Sequence, residues 1–432
     1  MTAGATCTSG RPTGCGPAAV FATGNWPWRL AVAAPASGLS YPFVPMSPPP
    51  DPAFSFCPDR RGTGSEKWDR WAGRDVLPVW VADMDLPAAE VILEAIRARV
   101  AHGVFGYTHD PPGFAPALQA HLAARHGWAI DSGQVVGTPG VVTALAITAR
   151  LLAADDDEIL TFTPVYPPFL SLPGLAGRRV VRVPLAQRAT AWAIDWDALE
   201  AAVSPRSKVF WLCHPHNPTG TVWTRADLER LADFAARHGL VVVSDEIWAD
   251  LVLDEERGVR HVPFASLDHP LARTAITLTA PSKTWNLAGL ACAAAIVPEA
   301  ALKKRWRAAG GGLVPMVNPL GYAAAEAAWR HGDAWRRRLI AVLRHHRDLV
   351  QQAVARIPGL ACVPAEATYL AWIDCRGTGV ADPQAACEAA GLGTSDGREF
   401  GGPGFVRLNT ACPTPQLEDA LARLARAFAA GR

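Results

Sequence analysis

The chain predicts an α/β fold: a large domain on a sheet of seven mostly parallel strands, joined to a smaller α+β domain. Three observations carry the prediction. Seven short apolar runs bounded by turn residues lie at 135–140, 158–162, 178–185, 207–213, 239–246, 274–279 and 291–297. Amphipathic helical patterns such as RADLERLADFAARHG (225–239) sit between several of them. Continuous Val/Ile runs alternating with such helices are the mark of a parallel sheet covered on both faces. After Pro315 the pattern changes to long helices, then to an α+β arrangement ending in a helix over 414–428.

In order along the chain, residues 1–52 read as a disordered extension, poor in acidic residues and closing on Ser47-Pro48-Pro49-Pro50. Such a composition buries too little apolar surface to offset the entropy of ordering. A start at Met46 is an alternative reading, and a targeting segment a third, with two arginines (Arg11, Arg29) and no basic-then-apolar pattern to support it. Residues 53–95 read as the first part of the small domain, 96–315 as the large domain and 316–432 as the rest of the small one. Within them Val91, Ile92, Ala95 and Ile96 have helical spacing, and a Gly- and Pro-rich loop carrying Tyr107 follows.

Composition narrows the function classes. The 432 residues are 50% hydrophobic and 19% charged, with a formal net charge of +1. That balance gives no electrostatic reason to expect nucleic acid or an anionic membrane as partner. No apolar run is long enough to span a bilayer. The nine cysteines are scattered and form no CxxC pair, which argues for free thiols in a reducing cytoplasm and against a disulfide framework. His214 and His216 have no cysteine or carboxylate companions at ligand spacing, so no metal site is expected.

Polar residues punctuate the ends of the apolar runs, where open α/β sheets bind ligands. Gly137-Thr138-Pro139-Gly140-Val141 opens a helix whose free N–H groups suit a phosphate, although such turns also merely cap helices. Tyr166, in TPVYPPF, can stack on a planar ring or simply pack. Asn217, in HNPTG, offers an amide fixed between prolines. Asp245, behind the run VVVS, is a buried carboxylate that needs a cation or hydrogen-bond donor, and a pyridinium nitrogen would serve. Arg407, in GFVRLN, is a half-buried guanidinium suited to a carboxylate. Lys283, in TLTAPSKTWNLAGL, follows the sixth run. Desolvated, it would be a nucleophilic amine able to form a Schiff base, and the alternative is a surface lysine on a turn.

Taken in order, TPGVVTAL, TPVYPPF, HNPTG, SDEI, SKTWNLAGL and GFVRLNTACP resemble the signatures of the fold-type I, class I/II aminotransferase superfamily, which uses pyridoxal 5′-phosphate. WVADMDLPAAEVI, GVFGYT, VWT after NPTG, and TYLAW resemble its cystathionine β-lyase or cysteine C–S lyase branch. The likeness runs from about Phe54 to Phe428. It implies that Lys283 holds the cofactor and, once freed by the substrate amine, acts as catalytic base. Asp245 would pair with the ring nitrogen, Tyr166 stack on the ring, and Asn217 donate to its phenolic oxygen. Val141, Val142 and Ser282 would meet the phosphate, joined by Tyr107 of a neighbouring subunit, which implies a homodimer with shared sites. Arg407 with Asn217, and Asp83, would bind substrate. The implied reaction is α,β-elimination of cystathionine or another amino-acid thioether to a thiol, pyruvate and ammonia, in the cytoplasm and in methionine biosynthesis. An aminotransferase or a cofactor-loaded regulatory protein on the same scaffold are the rivals. Two positions depart from the pattern. Ala280 stands where a phosphate-binding Ser or Thr is common, so that either Ser282 or Thr279 substitutes or the contact is missing. Trp248 stands in the cofactor wall where Tyr or His is usual; an indole donates one hydrogen bond but cannot accept or titrate.

Overall fold

All seven apolar runs form strands in the computed structural model, which describes residues 51–429. They are β1 (Val135–Thr138), β2 (Glu158–Thr163), β3 (Arg179–Gln187), β5 (Ser207–Cys213), β6 (Val241–Asp245), β7 (Ile276–Thr279) and β8 (Ala293–Ile296). The sheet has eight strands rather than the seven expected, because β4 (Trp192–Ile194) pairs antiparallel with β3 at one edge. Three residues are too few to show a periodic signal, and this strand forms by folding back on its neighbour. The order is β1-β8-β7-β6-β5-β2-β3-β4, with β8 antiparallel to both of its neighbours and the pairs from β7 through to β3 parallel.

Alternation along the strands sends side chains into two separate cores. Leu160, Phe162, Phe210, Leu212 and Val242 meet the apolar stripe of α5 (Arg225–Arg237), namely Leu228, Leu231, Ala232 and Ala235. Ile159, Val209, Trp211, Val243 and Ile276 face the other way, onto α3 (Val141–Leu152) and α4 (Pro167–Leu175). Burial on both faces is why these strands read as unbroken apolar runs. Helix α5 begins at a capping box in which Thr224 and Asp227 exchange hydrogen bonds, a clean local start signal.

A third core unites α1 (Glu90–Ala101), α2 (Phe114–His126) and α7 (Pro319–His331) through Ile92, Phe114, Leu118, Tyr322 and Trp329. Helix α6 (Ala300–Gly310) follows β8. The C-terminal part of the chain carries an antiparallel sheet, β9 (Ala361–Cys362), β10 (Leu370–Asp374), β11 (Ser395–Asp396) and β12 (Phe405–Asn409), in the order β9-β10-β12-β11. It packs on α8 (Asp333–Ala355) and α9 (Thr414–Ala429) through Val350, Ile373, Val406, Leu408 and Leu424, and Val79 joins that core from the N-terminal side. Residues 1–50, on which the expectation of disorder falls, lie outside the described residues, as do Cys7 and Cys15. Among the described residues no helix is long and apolar enough to cross a membrane.

Candidate active site

Polar side chains collect where β2, β5, β6 and β7 end. β7 is fully buried, and the chain turns after it through Ala280-Pro281-Ser282 to bring Lys283 under cover. The Lys283 Nζ donates to the Ala82 carbonyl at 2.7 Å. Asn286, at φ +59°, fastens the same turn: its amide donates to the Met84 and Leu86 carbonyls, and its oxygen accepts from the Met84 N–H. Burial first, and then the Arg407 charge, push the lysine down to about 8, against the pull of Asp83 and Asp245. The amine is thus a base that works near neutral pH. Its nitrogen stands 5.7 Å from the centre of the Trp248 ring, within cation–π range.

Asp245 closes β6 and is buried. It accepts from the Ile247 N–H at 3.1 Å. Desolvation, reinforced by neighbouring Glu246, pushes the carboxyl up to about 7. A protonated ring nitrogen beside it would supply the positive partner that burial calls for.

The HNPTG turn positions Asn217. Gly220 sits at φ +71°, and a Cβ there would fall 2.4 Å from the Ala365 Cβ and 2.8 Å from the Ala367 carbonyl oxygen. Gly220→Ala is therefore expected to destabilise the protein by about 2 to 4 kcal/mol, because both the conformation and the space exclude a side chain. Chemical denaturation checks this, and an unchanged midpoint would remove the argument. Asn217 Oδ1 accepts from the Arg407 Nη1 at 3.1 Å, so its amide nitrogen is free to serve the cavity. Arg407 also donates to the Trp80 carbonyl at 2.9 Å and to Ser395 Oγ at 3.4 Å, while its buried Nε has no partner. Burial pulls this guanidinium down to about 10. A buried, partly unsatisfied fork is a receptor for a carboxylate.

Val141, Val142, Tyr166, Asn217, Asp245, Trp248, Ser282 and Lys283 line one cavity of about 120 Å³. Arg407 joins it through Asn217. The N-terminus of α3 opens into it at Gly140, φ +110°, with no side chain capping it, so its free N–H groups suit an anion. Two expected residues stand apart. Asp83 binds Arg60 at 2.5 Å and is not among the lining residues, although its charge acts on Lys283. Tyr107 is fully exposed beside exposed Val104 and Phe105, in a stretch without regular structure. Ala280 is buried and brings no hydroxyl.

Other contributors carried no motif of their own. The Ala82 carbonyl receives Lys283 and also the Tyr369 hydroxyl at 3.0 Å, and Tyr369 packs edge-on against Trp248 at 4.9 Å. The Cys213 thiol lies in the cavity wall, raised far above the usual thiol range by burial, and so is an inert filler. These positions act through backbone oxygens or shape, which residue spacing does not announce.

The donor set fits pyridoxal 5′-phosphate: a partly buried amine of lowered proton affinity for its aldehyde, a buried carboxylate for its ring nitrogen, an uncapped helix start for its phosphate, and an aromatic face in Tyr166. Comparison with known proteins agrees. Residues 81–424 match the model of the family described as aminotransferase class I and II. The chain is 36% identical over 387 residues to cystathionine β-lyase PatB of Bacillus subtilis, covering 86% of this chain and 98% of that one. OvoB, known from a crystal structure, is 44% identical, with a TM-score of 0.85, over 88% of this chain and all of that one. Cystalysin from Treponema denticola, whose crystal structure contains a pyridoxal 5′-phosphate cofactor, is 30% identical with a TM-score of 0.82, over 87% of this chain and 98% of that one.

Proposed function

Since the chain belongs to the aminotransferase class I and II family and uses pyridoxal 5′-phosphate, we propose that it is a carbon–sulfur β-lyase that cleaves cystathionine, or a related cysteine S-conjugate, to a thiol, pyruvate and ammonia. One observation carries the reading. A partly buried amine of lowered proton affinity lines a small cavity, and a buried guanidinium with an unmet N–H holds Asn217 in the wall of that cavity, in a chain similar to relatives named cystathionine β-lyase.

The cofactor supplies an aldehyde for the substrate amine and a ring that drains electrons from the α-carbon. The protein does the rest. Arg407 and Asn217 hold the α-carboxylate and so orient the α-hydrogen toward Lys283. Lys283, at about 8, has a neutral fraction that removes that proton, and the ammonium it becomes is near the Trp248 face. The same ammonium can hand the proton to the departing sulfur, so one group serves as base and then acid. Asp245 would hold a proton at the ring nitrogen, and the Val141 and Val142 N–H groups with Ser282 would receive the phosphate. Exposed Tyr107, Val104 and Phe105 support a homodimer in which this loop enters the neighbouring site, and sedimentation of the loaded protein as a monomer would refute it.

Incubation with cystathionine and no added keto acid tests the reaction. A lyase releases pyruvate and free thiol; a transaminase requires the keto acid; a regulatory protein yields neither. Production of homocysteine would place the enzyme in methionine biosynthesis. Trp248 bears on selectivity, since it is buried against Tyr369 and borders the lysine. Trp248→His exchanges a ring that only donates for one that accepts and titrates. The expected result is a displaced pH midpoint of the bound-cofactor absorbance and an altered preference among thioethers. If neither moves, Trp248 is mere packing.

A further inference from the structure

Behind Asp245, on the side away from the cavity, the motif Ser244-Asp245-Glu246 carries a second buried carboxylate that none of the steps above uses. Glu246 Oε1 accepts from Ser244 Oγ at 2.8 Å and from the Phe264 N–H at 2.9 Å, and Oε2 meets His261 Nε2 at 2.9 Å. Both partners of that hydrogen bond are almost wholly buried. His214 lies over His261 with ring centres 4.3 Å apart, and the backbone N–H of His214 donates to the backbone carbonyl of Asp245 at 2.9 Å. His126 closes the cluster edge-on to His261 at 5.1 Å, and is itself held by Asp250 at 3.1 Å. Arg125 stands 3.8 Å from Asp250 on the outer side.

The hydrogen-bond pattern assigns the protons. His214 Nε2 faces the Val262 carbonyl oxygen at 3.2 Å and therefore carries a hydrogen, which leaves its unpartnered Nδ1 bare. The Nδ1 of His261 is also buried and unpartnered. A bare ring nitrogen is cheaper to bury unpaired than an N–H, so the His261 hydrogen belongs on Nε2, aimed at Glu246. Burial raises the proton affinity of Glu246, and the three donors that converge on its two oxygens, Ser244, the Phe264 N–H and His261, oppose that rise by favouring the ionised carboxylate. The charges that act on Asp245 are those of Glu246 and Lys283. Once Lys283 is engaged by the cofactor, Glu246 is the charge of that pair that remains.

We propose that Glu246, kept ionised by His261, is a positioning residue that sets how the proton between Asp245 and the cofactor ring nitrogen is shared. A negative charge behind Asp245 raises the proton affinity of its carboxyl, drawing the proton toward Asp245 and softening the electron demand of the ring. The His261 donor is what holds that charge in place. The other groups facing the cluster are held by their own partners, His214 by the Val262 carbonyl, and His126, Arg125 and, at 3.0 Å, His121 by Asp250. The inference rests on the proposed role of Asp245.

The test is the affinity of the purified protein for pyridoxal 5′-phosphate, read by absorbance of the bound cofactor between about pH 5 and 9. Affinity is expected to fall on the acid side as Asp245 gains its proton. Glu246→Gln should lower that midpoint by roughly one pH unit, the size of a single charge acting through a partly polarisable interior. His261→Phe, which removes the donor, should shift it the same way, while His261→Gln, which restores an N–H, should stay near wild type. A Glu246→Gln midpoint within about 0.2 units of wild type, in a protein with unchanged near-ultraviolet circular dichroism, would overturn the proposal. So would a His261→Gln shift as large as that of His261→Phe, and this pair decides the matter should Glu246→Gln not fold. A cofactor analogue with carbon in place of the ring nitrogen separates the two levels. If the wild-type acid limb persists with it, the assigned role of Asp245 is wrong. If the limb vanishes yet Glu246→Gln leaves it unmoved with the natural cofactor, the present inference alone fails.

Discussion

Lys283→Ala is expected to eliminate the covalently held cofactor and to lower the proposed cystathionine cleavage by on the order of 10⁴-fold or more, since one group would supply both the attachment point and the proton transfer. The expectation follows from placement. Lys283 is partly buried just beyond the end of β7, its nitrogen lies 2.7 Å from the Ala82 carbonyl, and no other lysine borders the cavity. Borohydride reduction followed by peptide mapping is the direct check: the wild type should be tagged at Lys283 and the variant should carry no tag. A tag on a different lysine would displace the whole assignment. Folding should survive, because the turn is fastened independently by Asn286 and by the Trp285 Nε1 donating to the Gly332 carbonyl at 3.0 Å. A thermal midpoint close to that of the wild type would therefore separate lost chemistry from lost structure.

The route from sequence to this site was readable where a single residue announces its own chemistry. Asp245, Asn217 and Lys283 each follow a buried strand, so the rule that ligands gather at strand ends located them together. Arg407 was legible as a charge inside an apolar strand. The edge strand β4 was not, because three residues show no period, and its existence depends on β3 already being in place. The Ala82 carbonyl and the Trp80 carbonyl, which receive Lys283 and Arg407, were equally silent: every residue has a carbonyl, and only the fold decides which one faces a cation. Glu246 lay in plain view beside Asp245, yet its partner His261 arrives from a loop fifteen positions on. Asp83, taken with the substrate group by likeness, turns out to be engaged by Arg60 at 2.5 Å, a pairing across 23 positions that spacing does not suggest.

Asp245→Asn should act in opposite directions on stability and on function. In the cofactor-free protein the Asp245 carboxyl is pushed up to about 7, chiefly by burial, from an unperturbed value of 3.8. Between these two values the folded state binds more protons at this site than the unfolded chain does, so stability falls as pH rises from about 4 to 7 and the loss is complete above 7. A shift of that size corresponds to roughly 4 kcal/mol as an upper bound. An asparagine cannot ionise and can still accept from the Ile247 N–H, so it escapes the penalty. The cofactor-free variant should thus exceed the wild type in denaturant resistance at pH 8, by on the order of 2 to 4 kcal/mol, and match it near pH 4. The loaded variant should show the reverse. Without a carboxylate beside the ring nitrogen its positive charge is unsupported, and both cofactor affinity and turnover should drop. Equal stability of the two cofactor-free proteins at pH 8 would mean that Asp245 is already compensated by the protein, and the case for a cationic partner in the cavity would fall with it. If the predicted gain is found, and is erased by adding cofactor, the buried charge of Asp245 is a strain that the fold carries for the sake of what binds beside it.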